Sequence, residues 1–116
     1  MTLKIKYLKG FTMVTVFTKF PVKEEFKEEY TAHLKEAVKK HNIQDQAGCS
    51  AMNLLAPQSN PMTGDNNTFI IETIWENMQS FMAYTQSDAF KKSHENMPPR
   101  EWFAGRPSVE VYESID

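Results

Sequence analysis

The chain has 116 residues, 41% hydrophobic and 24% charged, which describes one globular domain with its own core and excludes a disordered chain. Lys plus Arg is 13 and Asp plus Glu is 15, a net charge of −2, the wrong balance for a large phosphate-binding footprint. A single cysteine excludes an internal disulfide and a paired-cysteine metal or redox motif, and no apolar run reaches the ~18–20 residues of a membrane span.

Residues 1–11 read as an N-terminal arm or short strand. Leu3, Ile5 and Tyr7 alternate with Lys4 and Lys6 until Gly10 breaks the pattern. The stretch lacks the continuous apolar segment of a signal peptide, so a cytoplasmic setting is expected. The domain itself is expected over 12–116. Thr12 to Phe20 is β-branched and aromatic, hence a strand, with Val14 and Val16 on one face and Met13 and Phe17 on the other. A helix follows Pro21, with Glu24 and Glu25 in its first turn and Asn42 as its stop. Phe26, Tyr30, Leu34, Ala37 and His41 recur on one face of it.

Gly48 to Ala56 reads as a second strand, and Pro57 to Asn67 as a turn-rich loop that shapes either a cavity entrance or a subunit edge. Thr68 to Glu76 (TFIIETIWE) is the clearest strand. Asn77 caps a helix carrying Met78, Phe81 and Met82, and Ser87 caps a second one carrying Phe90 and His94, ended by Pro98 and Pro99. SVEVYESI, with Val109, Val111 and Ile115, closes the chain as a strand. The order βαββαβ predicts an α+β, ferredoxin-like fold, an antiparallel sheet with its helices on one face. Its strands carry apolar residues on both sides, so the bare sheet face calls for a second sheet. The expected partner is another copy of the chain, a homodimer joined through sheet faces.

Chemistry is sparse. His33 and His41 are eight apart, not the i, i+4 spacing of a metal pair. The glycines are too scattered for a phosphate loop, and there is no GxSxG elbow. Cys49 reads as a small buried hydrophobe. The strand order also fits an RNA-recognition module, but TFIIETIWE lacks that module's basic-Gly-aromatic pattern. The remaining candidates converge in the second half: Trp75, Tyr84, His94, Asn96, Arg100 and Trp102. Met52, Phe69, Met78 and Met82 are expected to line an apolar pocket around them, and His94 is the natural proton acceptor near neutral pH.

From Thr12 to Ser114 the chain resembles the antibiotic biosynthesis monooxygenase (ABM) domain family, within the dimeric α/β barrel superfamily. The likeness rests on the first strand with Pro21 and KEEF, on AGCSAMNLL, on TIWENMQSFMAYTQSDAFKKSH and on FAGRPSVEVYES. The resemblance implies a homodimer with one cavity per subunit. It further implies a monooxygenase, an oxidoreductase that oxidises a small aromatic or quinol with O2, without metal or other cofactor. On that reading His94 is the base, Tyr84 a hydrogen-bond donor and Trp75 a wall or oxyanion donor, with Arg100 and Trp102 closing the mouth. Heme-degrading members of the superfamily use an Asn on the first strand, a Trp on the second helix and a His ten residues later. Here His94 matches the His, but Tyr84 replaces the Trp and TMVTVFTKF has no Asn. A third class of relatives only binds small molecules or acts in stress responses.

Overall fold

The computed structural model describes residues 12–115; the expected arm at 1–11 lies outside them. Four strands and three helices are arranged as β1 (Val14–Pro21), α1 (Lys27–Lys40), β2 (Cys49–Leu55), β3 (Thr68–Trp75), α2 (Met78–Thr85), α3 (Asp88–Ser93) and β4 (Ser108–Glu113). The sheet order is β2-β3-β1-β4, every neighbour antiparallel. This is the ferredoxin-like α+β plan expected from the element order. Among the described residues no helix is long and apolar enough to cross a membrane.

Local chemistry sets the element ends. Asn77 accepts a hydrogen bond from Ser80 N at 2.9 Å and starts α2. Ser87 accepts from Phe90 N at 3.2 Å and starts α3. Both satisfy amides that a helix N-terminus leaves open. The first helix departs from expectation at both ends. Glu24 and Glu25 occupy a separate 3-10 turn, Glu24–Phe26, and the carboxylates in the first α-helical turn are Glu28 and Glu29. At the far end His41 is the C-cap, and Asn42 instead caps the next turn, accepting from Gln44 N at 3.0 Å. The helix bearing Phe90 ends at Ser93, before Pro98, and β4 ends at Glu113, leaving Ile115 exposed beyond it.

Strand alternation sorts the sheet into two faces. Val14, Val16, Phe69, Thr73 and Trp75 are buried on the helix side. The apolar ones among them belong to two clusters. Val14, Val16, Trp75 and Tyr84 form one; Val22, Tyr30, Leu34 and Phe69 form the other. The opposite face carries Phe17, Ile70 and Ile74, and among the described residues no helix lies over it. It is not purely apolar, because Lys19 meets Glu110 at 2.9 Å and Asn53 donates to Glu72 at 2.8 Å.

Candidate functional site

Between the sheet and α1 the two clusters leave a gap, a cavity of about 240 Å³. Thr18, Phe20, Ile71, Thr73 and Val109 form its floor on the sheet. Tyr30, His33, Leu34, Ala37 and His41 come from one side of α1 and its C-cap. Phe81, Tyr84, Phe90, Ser93 and His94 close it from α2, α3 and the α3 C-cap. The lining is mostly carbon, with a few polar groups, the usual make-up of a small-molecule site. All three histidines of the chain meet around it.

His94 is held by a definite hydrogen-bond pattern. Its Nδ1 lies 2.8 Å from the Phe90 carbonyl oxygen and 3.0 Å from Ser93 Oγ. A carbonyl oxygen only accepts, so Nδ1 carries a proton, and in the neutral ring Nε2 is the nitrogen with the lone pair. The imidazole also packs on the Phe90 ring, centroids 4.2 Å apart. Ser93 Oγ donates to the same carbonyl at 2.7 Å. Burial pushes the Tyr84 phenol up, against the opposing pull of Ser93. It therefore stays protonated, a donor, at neutral pH.

Thr73 is the buried polar group of the floor. Trp75 Nε1 donates to its Oγ1 at 2.8 Å. That bond spends the indole hydrogen and leaves the Thr73 hydroxyl hydrogen for a ligand. Tyr30 stands opposite, its phenol also pushed up by burial. His33 packs on Tyr30, centroids 5.9 Å apart, and burial lowers its proton affinity. Among the described residues no group of three or more His, Cys, Asp or Glu is placed to hold a metal ion.

A second, more polar chamber of about 460 Å³ adjoins the first. His33, Ala37, His41, Ser93, Met97 and Pro98 border both. The outer walls add Glu36, Lys40, Lys92, Glu95, Asn96 and Trp102.

The family model described as antibiotic biosynthesis monooxygenase (ABM) matches residues 13–96. The chain belongs to the ABM family. No curated protein matches it by sequence. Among solved structures, the heme-degrader MhuD from Mycobacterium tuberculosis, with two hemes bound in its active site, superposes with a TM-score of 0.67 at 20% identity, over 88% of this chain and 95% of that one. A conserved protein from Methanosarcina mazei gives 0.65 at 19%, over 88% and 92%. A protein of Nitrosomonas europaea provisionally described as an antibiotic biosynthesis monooxygenase gives 0.66 at 13%, over 94% and 95%. At these identities the likeness is one of fold.

In this ABM-family protein the residues singled out from the sequence scatter. His94 and Tyr84 line the inner chamber, and Trp102 lines the outer one. Trp75 is 0% exposed and lies beside the floor without lining the chamber, bonded to Thr73 and packed on the lining rings of Phe81 and Tyr84. Phe69 is spent in the core, edge-on to Tyr30 at 4.9 Å. Met78 and Met82 face outward on α2, while Phe81 and Tyr84 face in. Met52 sits on edge strand β2 and Arg100 in an exposed turn, neither bordering either chamber. The sequence reading passed over His33, His41, Thr73 and Ser93. For His41 the signal was present, since it continues the stripe of Tyr30, Leu34 and Ala37.

Proposed function

We propose that this protein is a homodimeric monooxygenase that oxidises a small phenol or quinol with O2. One observation carries the reading: a small apolar chamber has at its wall a histidine held through Nδ1, with Nε2 left over for a ligand. The volume, about 240 Å³, falls below the roughly 300–1,000 Å³ of drug-sized sites and suits one or two fused rings. A phenol bound there gives its proton to His94 Nε2. The phenolate is electron-rich enough to reduce O2 itself. One oxygen atom bonds to the ring carbon and the other leaves as water, so phenol plus O2 becomes quinone plus water with no further reductant. The Thr73 hydroxyl and the Tyr84 phenol are the donors for the oxyanion that develops. No prosthetic group is invoked.

Heme fits poorly. His94 Nε2 is free to ligate iron, but a porphyrin is larger than the inner chamber, and the side chains that close it come from both layers of the fold. The dimer reading is supported by the helix-free sheet face, where Phe17, Ile70 and Ile74 are not covered by any element among the described residues.

The test is oxygen transfer. Purified protein is incubated under ¹⁸O2 with a panel of phenols and quinols that includes 1-naphthol. The expected quinone carries one labelled oxygen atom, and His94→Ala abolishes its formation. Binding of the panel without any oxygen consumption replaces this reading with that of a non-catalytic small-molecule binder.

A further inference from the structure

The two chambers differ in chemistry and share a wall. Inside, the lining is aromatic and aliphatic, with hydroxyl groups at the floor. Outside, it is charged: Glu36, Lys40, Lys92 and Glu95. His33 and His41 on one side and Ser93, Met97 and Pro98 on the other form the neck between them. A ligand confined to the inner chamber makes no use of the outer one, which has nearly twice the volume.

The outer walls carry two lysines, Lys40 and Lys92, and two carboxylates, Glu36 and Glu95. α1 ends in Lys39 and Lys40, and α3 carries Lys91 and Lys92 in its last turn. A helix C-terminus presents about half a negative charge, so one lysine at each end more than answers it. Lys39 is engaged with Glu36 at 3.2 Å. Among the described residues neither Lys40 nor Lys92 makes an ion pair. Of the two wall carboxylates, Glu36 is the one engaged in an ion pair, which leaves Glu95 beside the two ammonium groups. With Glu36 held by Lys39 from behind the wall, Lys40 and Lys92 stand at the open end of an apolar chamber without an ion-pair partner among the described residues.

We propose that the two chambers hold a single ligand, its phenolic ring in the inner one and a carboxylate-bearing tail in the outer one, against Lys40 and Lys92. The proposal rests on the reading of the inner chamber given above and adds the class of molecule: an amphiphilic aromatic acid. The apolar chamber takes the ring because burial there costs little desolvation. The carboxylate stays near water, where two ammonium groups attract it without the penalty of a fully buried pair. The neck sets the order of the parts, since the charged end cannot enter the inner chamber without losing its hydration.

Calorimetric titration of the full chain tests this with two matched probes, 4-(4-hydroxyphenyl)butanoate and the corresponding amide. The expected result is that the acid binds about tenfold more tightly, the scale of a pair of partly exposed charge-assisted contacts. In the Lys40→Gln/Lys92→Gln double variant the acid falls to the affinity of the amide. Both lysines are exposed, so this variant is expected to fold, and circular dichroism checks that it does. An acid that binds no better than the amide in the wild-type protein overturns the tail assignment and leaves the inner chamber's reading intact. The same holds if the double variant keeps the preference for the acid. If neither probe binds, both readings fall together.

Discussion

His94 Nδ1 lies 2.8 Å from the carbonyl oxygen of Phe90, one helical turn earlier in the chain. That carbonyl belongs to the frayed end of α3, where the last acceptors of a helix have no amide partner. The imidazole and the Ser93 hydroxyl share the vacancy, and the ring in doing so keeps a hydrogen on Nδ1. A helix end thereby holds the imidazole by Nδ1 and leaves Nε2 as the nitrogen that faces a ligand. Replacing His94 with Ala or Gln is expected to lower turnover at least ~100-fold, the usual range for a positioned general base. Titration with 1-naphthol under anaerobic conditions is expected to show binding weakened by only a few-fold. Full turnover in His94→Gln would remove the base assignment.

Thr73 and Trp75 act as a unit. Thr73→Val keeps the shape but leaves the buried indole N–H without an acceptor, at a cost of about 1–3 kcal/mol. Trp75→Ala removes a side chain that is 0% exposed, and about 3–5 kcal/mol is expected. Chemical denaturation measures both. A double-mutant cycle with Trp75→Phe should show coupling between the two positions, because the Phe variant has no N–H to strand. Additive losses would mean that the 2.8 Å contact contributes nothing of its own.

Gly48 locks α2 onto the sheet. Its φ is +84°, and a Cβ there would sit 2.3 Å from Ser80 Oγ and 2.4 Å from Ser80 Cβ. Gly48→Ala therefore meets both a left-handed backbone and a clash, and a loss of about 2 kcal/mol or more is expected. Adding Ser80→Gly removes the clash but not the backbone strain. The double variant should be more stable than the sum of the two single losses predicts, and thermal melts decide it.

The acid limb of stability is expected to depend on His33. Burial lowers its proton affinity from the ordinary value of 6.5. Below that pH the unfolded chain binds a proton that the folded chain refuses, so unfolding is favoured as pH falls. The contribution is complete above pH 6.5 and is lost on acidification through the lower folded value. His33→Gln should flatten this part of the stability profile, and urea midpoints across the range measure it. An unchanged slope would mean that another group controls it.

The uncovered sheet face leads to an oligomer prediction. Light scattering at micromolar concentration should find a dimer. Ile74→Lys, placed on the helix-free face, should give a folded monomer by circular dichroism. A wild-type monomer would refute the packing argument at its central step.

Element order was legible from the sequence because its signals are local. Asn77 and Ser87 each bond an amide three residues on, and strand alternation in TFIIETIWE needs only its own eight or nine residues. The ferredoxin-like order followed from those elements and the handedness of connections. The limits of the first helix were less legible, since Glu24–Phe26 forms a tighter turn whose hydrogen-bonding pattern does not alter the apolar stripe.

The site was legible only in part. Periodicity tells which residues share a face, but not what that face meets or where a polar hydrogen is spent. His94 and Tyr84 could be named from the sequence because both lie in the family-like segment. That Trp75 commits its N–H to Thr73, and that Met78 and Met82 turn outward while Phe81 and Tyr84 turn in, depends on how α2 is rotated against the sheet. That His33 and His41 come round to face His94 depends on packing α1 beside α3, far apart in the chain. Sequence alone determined the order of the elements and the N-caps of α2 and α3, all products of short-range chemistry. Tertiary structure alone decided the chamber, its histidines and its charged vestibule, because each is made from side chains that become neighbours only when the helices pack on the sheet.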